Sequence, residues 1–352
     1  MNLSTSFWLG KRVLVTGHTG FKGGWLSIWL QRLGANVTGI SLPPNTTPNL
    51  FELARVSNGM LSHFCDIRNS DAIEEFINLV KPEIVFHLAA QPLVRLSYKD
   101  PLSTFATNIM GTANLLDALR GKNYVRVAVM VTTDKVYHNQ ERQLPYREDD
   151  TLGGHDPYSA SKAASEIVIS SYRDAYLKKQ GLAVASARAG NVIGGGDWSE
   201  DRLIPDAVRA WSSGWPLIIR NPHATRPWQH VLEPLSGYLM LAQTLWQHPE
   251  MASAYNFGPY THETGTVETI INLACSAYGE GSVLHKECIE NPYEANWLAL
   301  EVAKARVMLG VNPKWNLAAS VHRTMAWYKA QKQGLNVRKL CEDDIAAFEY
   351  SP

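Results

Sequence analysis

Tyr158-Ser159-Ala160-Ser161-Lys162 places a phenol and an ammonium four residues apart, at the head of an amphipathic pattern that runs to Gln180. In a helix, positions i and i+4 share a face, so the two groups stand one above the other. A phenol titrates near about 10, and to act as a base at neutral pH it must fall by roughly three units, a differential stabilisation of about 4 kcal/mol. A neighbouring ammonium acts in that direction, as does any other fixed positive charge. A Tyr and a Lys four apart also occur by chance, so the meaning of the pair depends on what the rest of the chain builds around it.

The chain supplies a cofactor seat. Lys11 to Thr16 reads as a short buried strand, followed by Gly17-His18-Thr19-Gly20-Phe21-Lys22-Gly23-Gly24 and an apolar helix from Trp25 to Leu33. Strand, glycine turn and helix in that order cradle a pyrophosphate: glycines let the backbone approach, and the helix start offers unpaired N–H groups. The spacing is G-x-x-G-x-x-G, whereas the common dinucleotide fingerprint is G-x-G-x-x-G. Gly17, Thr19, Gly20, Phe21, Lys22 and Gly23 are the candidates here. A second strand, Asn36 to Ile40, ends at Ser41, where an acidic residue would bind the adenosine ribose. Neither an acid there nor an Arg beside it chooses between the two nicotinamide cofactors.

A third strand, Leu61 to Cys65, delivers Asp66 and Ile67 to an adenine edge, although an Asp after a strand also serves as a turn or cap. Ile84 to Leu88 is an apolar strand whose following Ala89-Ala90-Gln91 is small enough for a cofactor to pass close. Thr104 to Leu119 reads as a helix, and Val125 to Val131 as a buried strand ending in Thr132-Thr133-Asp134-Lys135. Strands alternating with helices between residues 11 and 189 predict an α/β fold with a doubly wound parallel sheet. Ligands in such a sheet lie beyond the carboxyl ends of the strands, where all these runs and Arg188-Ala189-Gly190-Asn191 converge.

Composition narrows the class. In 352 residues, 33 Lys and Arg balance 33 Asp and Glu, so no long-range attraction to nucleic acid or an anionic membrane is expected. Cys65, Cys275, Cys288 and Cys341 share no C-x-x-C spacing and predict neither a zinc site nor a disulfide framework. With no spanning apolar stretch and no leader pattern, a cytoplasmic protein is expected.

After Asn191 the pattern becomes loop-rich. Arg202-Leu203, Arg220 and Arg226-Pro227-Trp228-Gln229-His230 gather guanidinium forks and indoles, which suit a diphosphate and a base or sugar face. Each Arg alone reads as a surface charge; together they predict a substrate lobe. Residues 1–189 with about 232–257 form the dinucleotide half, and 190–231 with 258–352 the smaller C-terminal lobe. Val231 to Gln247 reads as a helix, Tyr255 to Phe257 as a strand, 266–333 as mostly helical, and the tail from Gly334 carries no clear signal.

Thr16-Gly17 through Gly23, Tyr158 through Lys162 and the sheet order resemble the extended short-chain dehydrogenase/reductase family, a Rossmann-type fold, over nearly the whole chain. Thr133-Asp134-Lys135-Val136-Tyr137, Ala189 through Trp198 and Arg226 through Val231 are similar to its nucleotide-sugar 4,6-dehydratases, in the branch acting on CDP-glucose. Most such dehydratases carry Asp-Glu after the threonine, whereas this chain has Lys135, as that branch does. The resemblance implies NAD recycled within each turnover, Tyr158 and Lys162 oxidising carbon 4, and Thr133 holding the 4-hydroxyl. It also implies Asp134 as acid at carbon 6, and Lys135 as either the carbon 5 base or a partner of Asp134. Asn191, Arg202 and Arg226, with Leu203, Arg220, Gln229 and Tyr293, would hold the nucleotide diphosphate. A homodimer or homotetramer joined by the helices within 104–119 and 158–180 follows from the same likeness, as does a product bound for deoxysugars of surface polysaccharide such as O-antigen. A 4-epimerase shares the Tyr-Lys pair but needs no acid or base at carbons 5 and 6; a non-enzymatic dinucleotide sensor usually loses the tyrosine.

Overall fold

The computed structural model describes residues 3–219, 221–279, 281–285 and 297–351. Seven strands form one parallel sheet: β1 (Arg12–Thr16), β2 (Asn36–Ser41), β3 (Leu61–Phe64), β4 (Ile84–His87), β5 (Val127–Val131), β6 (Ala183–Ala189) and β7 (Ala254–Phe257). Their order is β7-β6-β5-β4-β1-β2-β3. The chain steps outward from β1 to β3, then returns to the other side of β1 at β4. That reversal opens a crevice beyond the carboxyl ends of β1 and β4.

Strand alternation builds two cores, since successive side chains point to opposite faces. Val13, Val15, Phe86, Val127 and Val129 join one cluster with the helix Leu232–Gln247, while Leu14, Val85, Ala128 and Met130 join the other with Ile73, Ile77 and Leu115. Both faces are covered, so the strands read as continuous apolar runs.

Several helices differ from the sequence expectation. The helix after the glycine loop runs Phe21–Arg32, starting four residues before Trp25. Gly23 and Gly24 belong to its first turns because close packing needs them: a Cβ on Gly23 would lie 2.0 Å from the Gly17 oxygen. The expected helix from Thr104 to Leu119 is broken into Pro101–Phe105, a π turn at Ala106–Met110 and Gly111–Ala118. The wide turn sends out Asn108, whose amide meets Gln91 N–H at 2.8 Å and donates to Ser161 Oγ at 2.8 Å. The helix carrying Tyr158 is regular over Pro157–Tyr172, with Asp156 as its N-cap accepting from Ser159 N–H at 2.9 Å, and ends in a π turn and a 3₁₀ turn at Gln180.

The region after β6 is assembled from short pieces. Val192–Ile193 pairs with Gln229–His230, Thr225–Arg226 with Gly265–Thr266, and Leu217–Ile219 with Val283–His285. The helices Leu203–Ser212, Val267–Tyr278 and Leu317–Lys332 pack around them. The tail from Gly334 folds as the helix Val337–Tyr350 and returns to the dinucleotide half, where Glu349 accepts from Trp29 Nε1 at 2.9 Å. Among the described residues, no helix is long and apolar enough to cross a membrane.

Candidate active site

A cleft of about 680 Å³ crosses the carboxyl ends of the strands, and nearly all the anticipated residues line it. At one end, Gly17 adopts φ +79°, and a Cβ there would lie 2.7 Å from Ala89 N. Only glycine permits that approach between β1 and β4. The helix cap, Gly20, brings no side chain to the first N–H groups of Phe21–Arg32, which leaves them facing the cleft. This uncapped terminus and the glycine-only contacts fit a dinucleotide pyrophosphate.

Ser41 Oγ lies 2.8 Å from Thr19 Oγ1, which donates to Leu42 O at 2.8 Å. Asp66 is engaged by Arg68, whose Nη2 stands 2.6 Å from Oδ2; those hydrogen bonds hold the carboxyl below its ordinary range. Asp66, Ile67, Leu88, Ala89, Ala90 and Thr132 line the cleft, but Gln91 does not. Its side-chain amide turns to Leu93 O at 3.1 Å and Thr104 Oγ1 at 2.9 Å, pinning the loop that follows β4.

The reactive groups meet at the centre. Tyr158, Lys162, Thr133 and Asp134 are buried, and Lys135 stands half-buried beside them. Thr133 Oγ1 donates to Asp134 Oδ1 at 2.9 Å, while Asp134 Oδ2 has no hydrogen-bond partner despite 1 % exposure of the residue. A buried carboxylate oxygen without a donor is costly, and an incoming hydroxyl would satisfy it. The Tyr158 phenol is not lowered here: burial pushes it up to about 12, against a hydrogen bond with Thr133 that pulls it down. Lys162 donates to Val131 O at 3.2 Å, and burial draws its ammonium down to about 8. Desolvation outweighs the attraction that the spacing of the pair predicts.

Lys22 is expected only as part of the glycine loop, yet its Nζ donates at 3.0 Å to Tyr238 Oη, which is buried behind the cleft wall. Burial, then Arg202 and Lys162, bring that amine down to about 7. Tyr238 comes from the helix Leu232–Gln247, where an apolar pattern hides it from sequence reading.

The opposite wall carries Asn191, Arg202, Leu203 and Arg226. Arg202 Nη1 reaches Asp197 Oδ2 at 2.9 Å, and Asp197 is the counter-charge that sequence reasoning passed over. Asn191 Oδ1 and Trp198 Nε1 are buried without hydrogen-bond partners. Gln229 is buried behind the wall, not in it: its Nε2 donates to Phe257 O at 3.0 Å, and its backbone N–H to Asn191 O at 3.0 Å. Arg220 and Tyr293 lie outside the described residues.

Fold and cleft together define a Rossmann-type dinucleotide-binding protein with a second, polar substrate wall. A family model described as GDP-mannose 4,6 dehydratase matches residues 14–324. The chain belongs to that family. It is 46% identical over 338 residues to the CDP-glucose 4,6-dehydratase of Salmonella typhimurium (strain LT2), covering 94% of each chain. Among solved structures, it is similar to the UDP-glucose 4-epimerase of Stenotrophomonas maltophilia with bound NAD and formylated UDP-arabinopyranose. The TM-score is 0.81 at 21% identity, with 92% of this chain and 99% of that one covered. A dTDP-glucose 4,6-dehydratase from Bacillus anthracis in complex with NAD gives 0.76 at 20% identity, covering 91% and 97%. These two share the fold, and the resemblance to nucleotide-sugar dehydratases is borne out by the closer relative in sequence.

Proposed function

We propose that the chain is a hydro-lyase that converts CDP-glucose to CDP-4-keto-6-deoxyglucose, using NAD that is recycled in each turnover. The observation that carries this reading is Asp134: a buried carboxyl group with one open oxygen, bonded to Thr133 in the same cleft as Tyr158. A 4-epimerase has no use for such a group, whereas dehydration needs an acid for the departing 6-hydroxyl. The likeness to the Salmonella dehydratase over 94% of the chain supports the same substrate.

When bound, NAD supplies the acceptor for hydride from carbon 4 and its donor at carbon 6. Tyr158 takes the 4-hydroxyl proton, for which its phenol must fall from about 12, and the Lys162 ammonium favours the phenolate. Thr133 orients that hydroxyl. Asp134 protonates the 6-hydroxyl as it leaves, and Lys135 either removes the carbon 5 proton or holds Asp134. Asn191, Arg202 and Arg226 hold the diphosphate, with Leu203 beside the nucleotide and Gln229 acting through the Asn191 backbone. Gly17, Thr19, Gly20, Phe21, Lys22, Gly23, Ser41, Asp66, Ile67 and Leu88 to Ala90 seat the cofactor, with Gln91 fixing their loop.

Leu102, Met110, Ile167 and Tyr176 are exposed on neighbouring helices, which supports a homodimer or homotetramer joined through a four-helix contact. Free thiols at Cys65, Cys275 and Cys341 support a cytoplasmic setting. The product suits synthesis of deoxysugars for surface polysaccharide.

Incubation of the purified protein with CDP-glucose and no reductant tests the reading. The expected product develops the alkali-induced absorbance of a 4-keto-6-deoxy sugar while free NADH stays absent. An isomeric hexose alone would make the protein an epimerase, and untouched sugar would make it a binding protein.

A further inference from the structure

Tyr158, Lys162 and Glu166 follow one another at four-residue intervals, so they occupy one helix face. The second and third are tied to consecutive residues at the end of β5. Lys162 Nζ donates to Val131 O at 3.2 Å, and Glu166 Oε1 accepts from Thr132 Oγ1 at 2.5 Å. Glu166 Oε2 also accepts from Ser186 Oγ at 2.7 Å. Arg188 completes the site with Nε 3.0 Å from Oε1 and Nη2 2.9 Å from Oε2. Both partners are only 4 % exposed in their side chains.

Arg188 reaches further. Its Nη1 donates to Tyr137 Oη at 2.9 Å and to Glu148 O at 2.9 Å, and Tyr137 in turn donates to Asn256 Oδ1 at 2.6 Å. The buried ion pair therefore grips Thr132 with its carboxylate and Tyr137 with its guanidinium. Between those two residues lie Thr133, Asp134, Lys135 and Val136. We infer that Glu166, with Arg188, is the positioning residue of this site: it holds the Thr133-Asp134-Lys135 segment at both ends against the helix of Tyr158 and Lys162, and supplies the counter-charge for Lys162.

This inference rests on the dehydratase reading for the steps it positions. An isolated buried pair is weak ground for stability, because apolar replacements often do as well. Here, however, its hydrogen bonds are spent on the segment that presents the acid. The groups facing Lys162 are Tyr158 and Glu166 on its own helix, Lys22 from Phe21–Arg32, His87 from β4, Val131 O at the end of β5, and Asp134 in the same cleft just after it. His87 is kept neutral by burial, its ring between Thr16 Oγ1 at 2.7 Å and Thr112 Oγ1 at 3.1 Å. Among these groups, Glu166 is the one that raises the Lys162 ammonium against desolvation. Its removal lowers that titration further.

Glu166→Gln and Thr132→Val separate the two roles. For Glu166→Gln, kcat falls about 100-fold, as for a reactive group displaced by an ångström, while KM for CDP-glucose changes little. Its alkaline limb of kcat moves to lower pH by about one unit. Thr132→Val keeps the ion pair and loses one grip: kcat falls about tenfold and the limb stays in place. Unchanged kcat in a folded Thr132→Val protein overturns the inference, and this variant decides the matter if Glu166→Gln does not fold. An unmoved alkaline limb in folded Glu166→Gln overturns it as well. Should the wild-type protein make no 4-keto-6-deoxy sugar, the functional reading fails by itself. The counter-charge is then read from ¹⁵N-lysine NMR titration, with Lys162 assigned through Lys162→Met. A lower Lys162 titration in Glu166→Gln sustains the inference, and an unmoved one sinks it.

Discussion

The two walls of the cleft are made differently. The wall beside β1 and β4 is backbone: Gly17 against Ala89, Gly23 against Gly17, and an uncapped helix start, with almost no freedom for a side chain. The facing wall, from Asn191 to Trp228, is made of side chains, most of them on loops and short strands, and brings its own counter-charge, as Arg202 does with Asp197. A ligand met by backbone is fixed by the fold itself. A ligand met by loop side chains can be exchanged without rebuilding the sheet. The substrate of such a fold is therefore decided on the second wall, and the cofactor on the first.

Tyr158→Phe tests the junction between the walls and carries the largest expected effect. Loss of the phenolic proton acceptor lowers kcat by about 10³-fold, within the range for a general base, while NAD and CDP-glucose still bind. Titration of both ligands into the variant checks this, and unchanged turnover removes the phenol from the chemistry. Gly23→Ala acts on the backbone wall alone. The added methyl meets a backbone oxygen at 2.0 Å, and no flexible side chain stands there to yield. Overpacking of about 1–3 kcal/mol predicts up to about 100-fold weaker NAD binding, with the affinity for a CDP-sugar barely altered. Equal losses at both ligands would mean that the walls are mechanically one unit.

The same contrast explains what the sequence makes legible. β1, β4 and β5 are apolar runs closed by small or polar residues, so their carboxyl ends and the residues gathered there can be read locally. Glycine spacing does not reveal where the next helix begins, because Gly23 and Gly24 disfavour helix by propensity and are kept there by contacts with Gly17 and Leu50. The π turn at Ala106–Met110 depends on Asn108 reaching Gln91 and Ser161, partners 17 and 53 residues away. The direction of the Tyr158 shift is equally non-local: four-residue spacing shows the nearby ammonium but not the burial that outweighs it. Gln91 and Gln229 carry the right chemistry for ligands, yet face inward and hold neighbouring loops. Asp197 escapes a reading that looks for cations, since its role is visible only once Arg202 folds back on it.

The smallest predicted effect isolates the side-chain wall. Arg202→Lys keeps a positive charge for the buried Asp197, so the loop retains its ion pair and the protein its stability. What disappears is the planar fork, which can bond Asp197 through Nη1 while presenting its other donors to a diphosphate. Loss of one charge-assisted hydrogen bond, about 1.5 kcal/mol, raises KM for CDP-glucose about tenfold. NAD affinity and the rate at saturating sugar nucleotide stay as they were, because Arg202 does not belong to the backbone wall. Steady-state kinetics beside NAD titration separates these quantities. A fall in NAD affinity equal to the rise in KM would show that Arg202 serves both ligands, and the division between the walls would no longer hold.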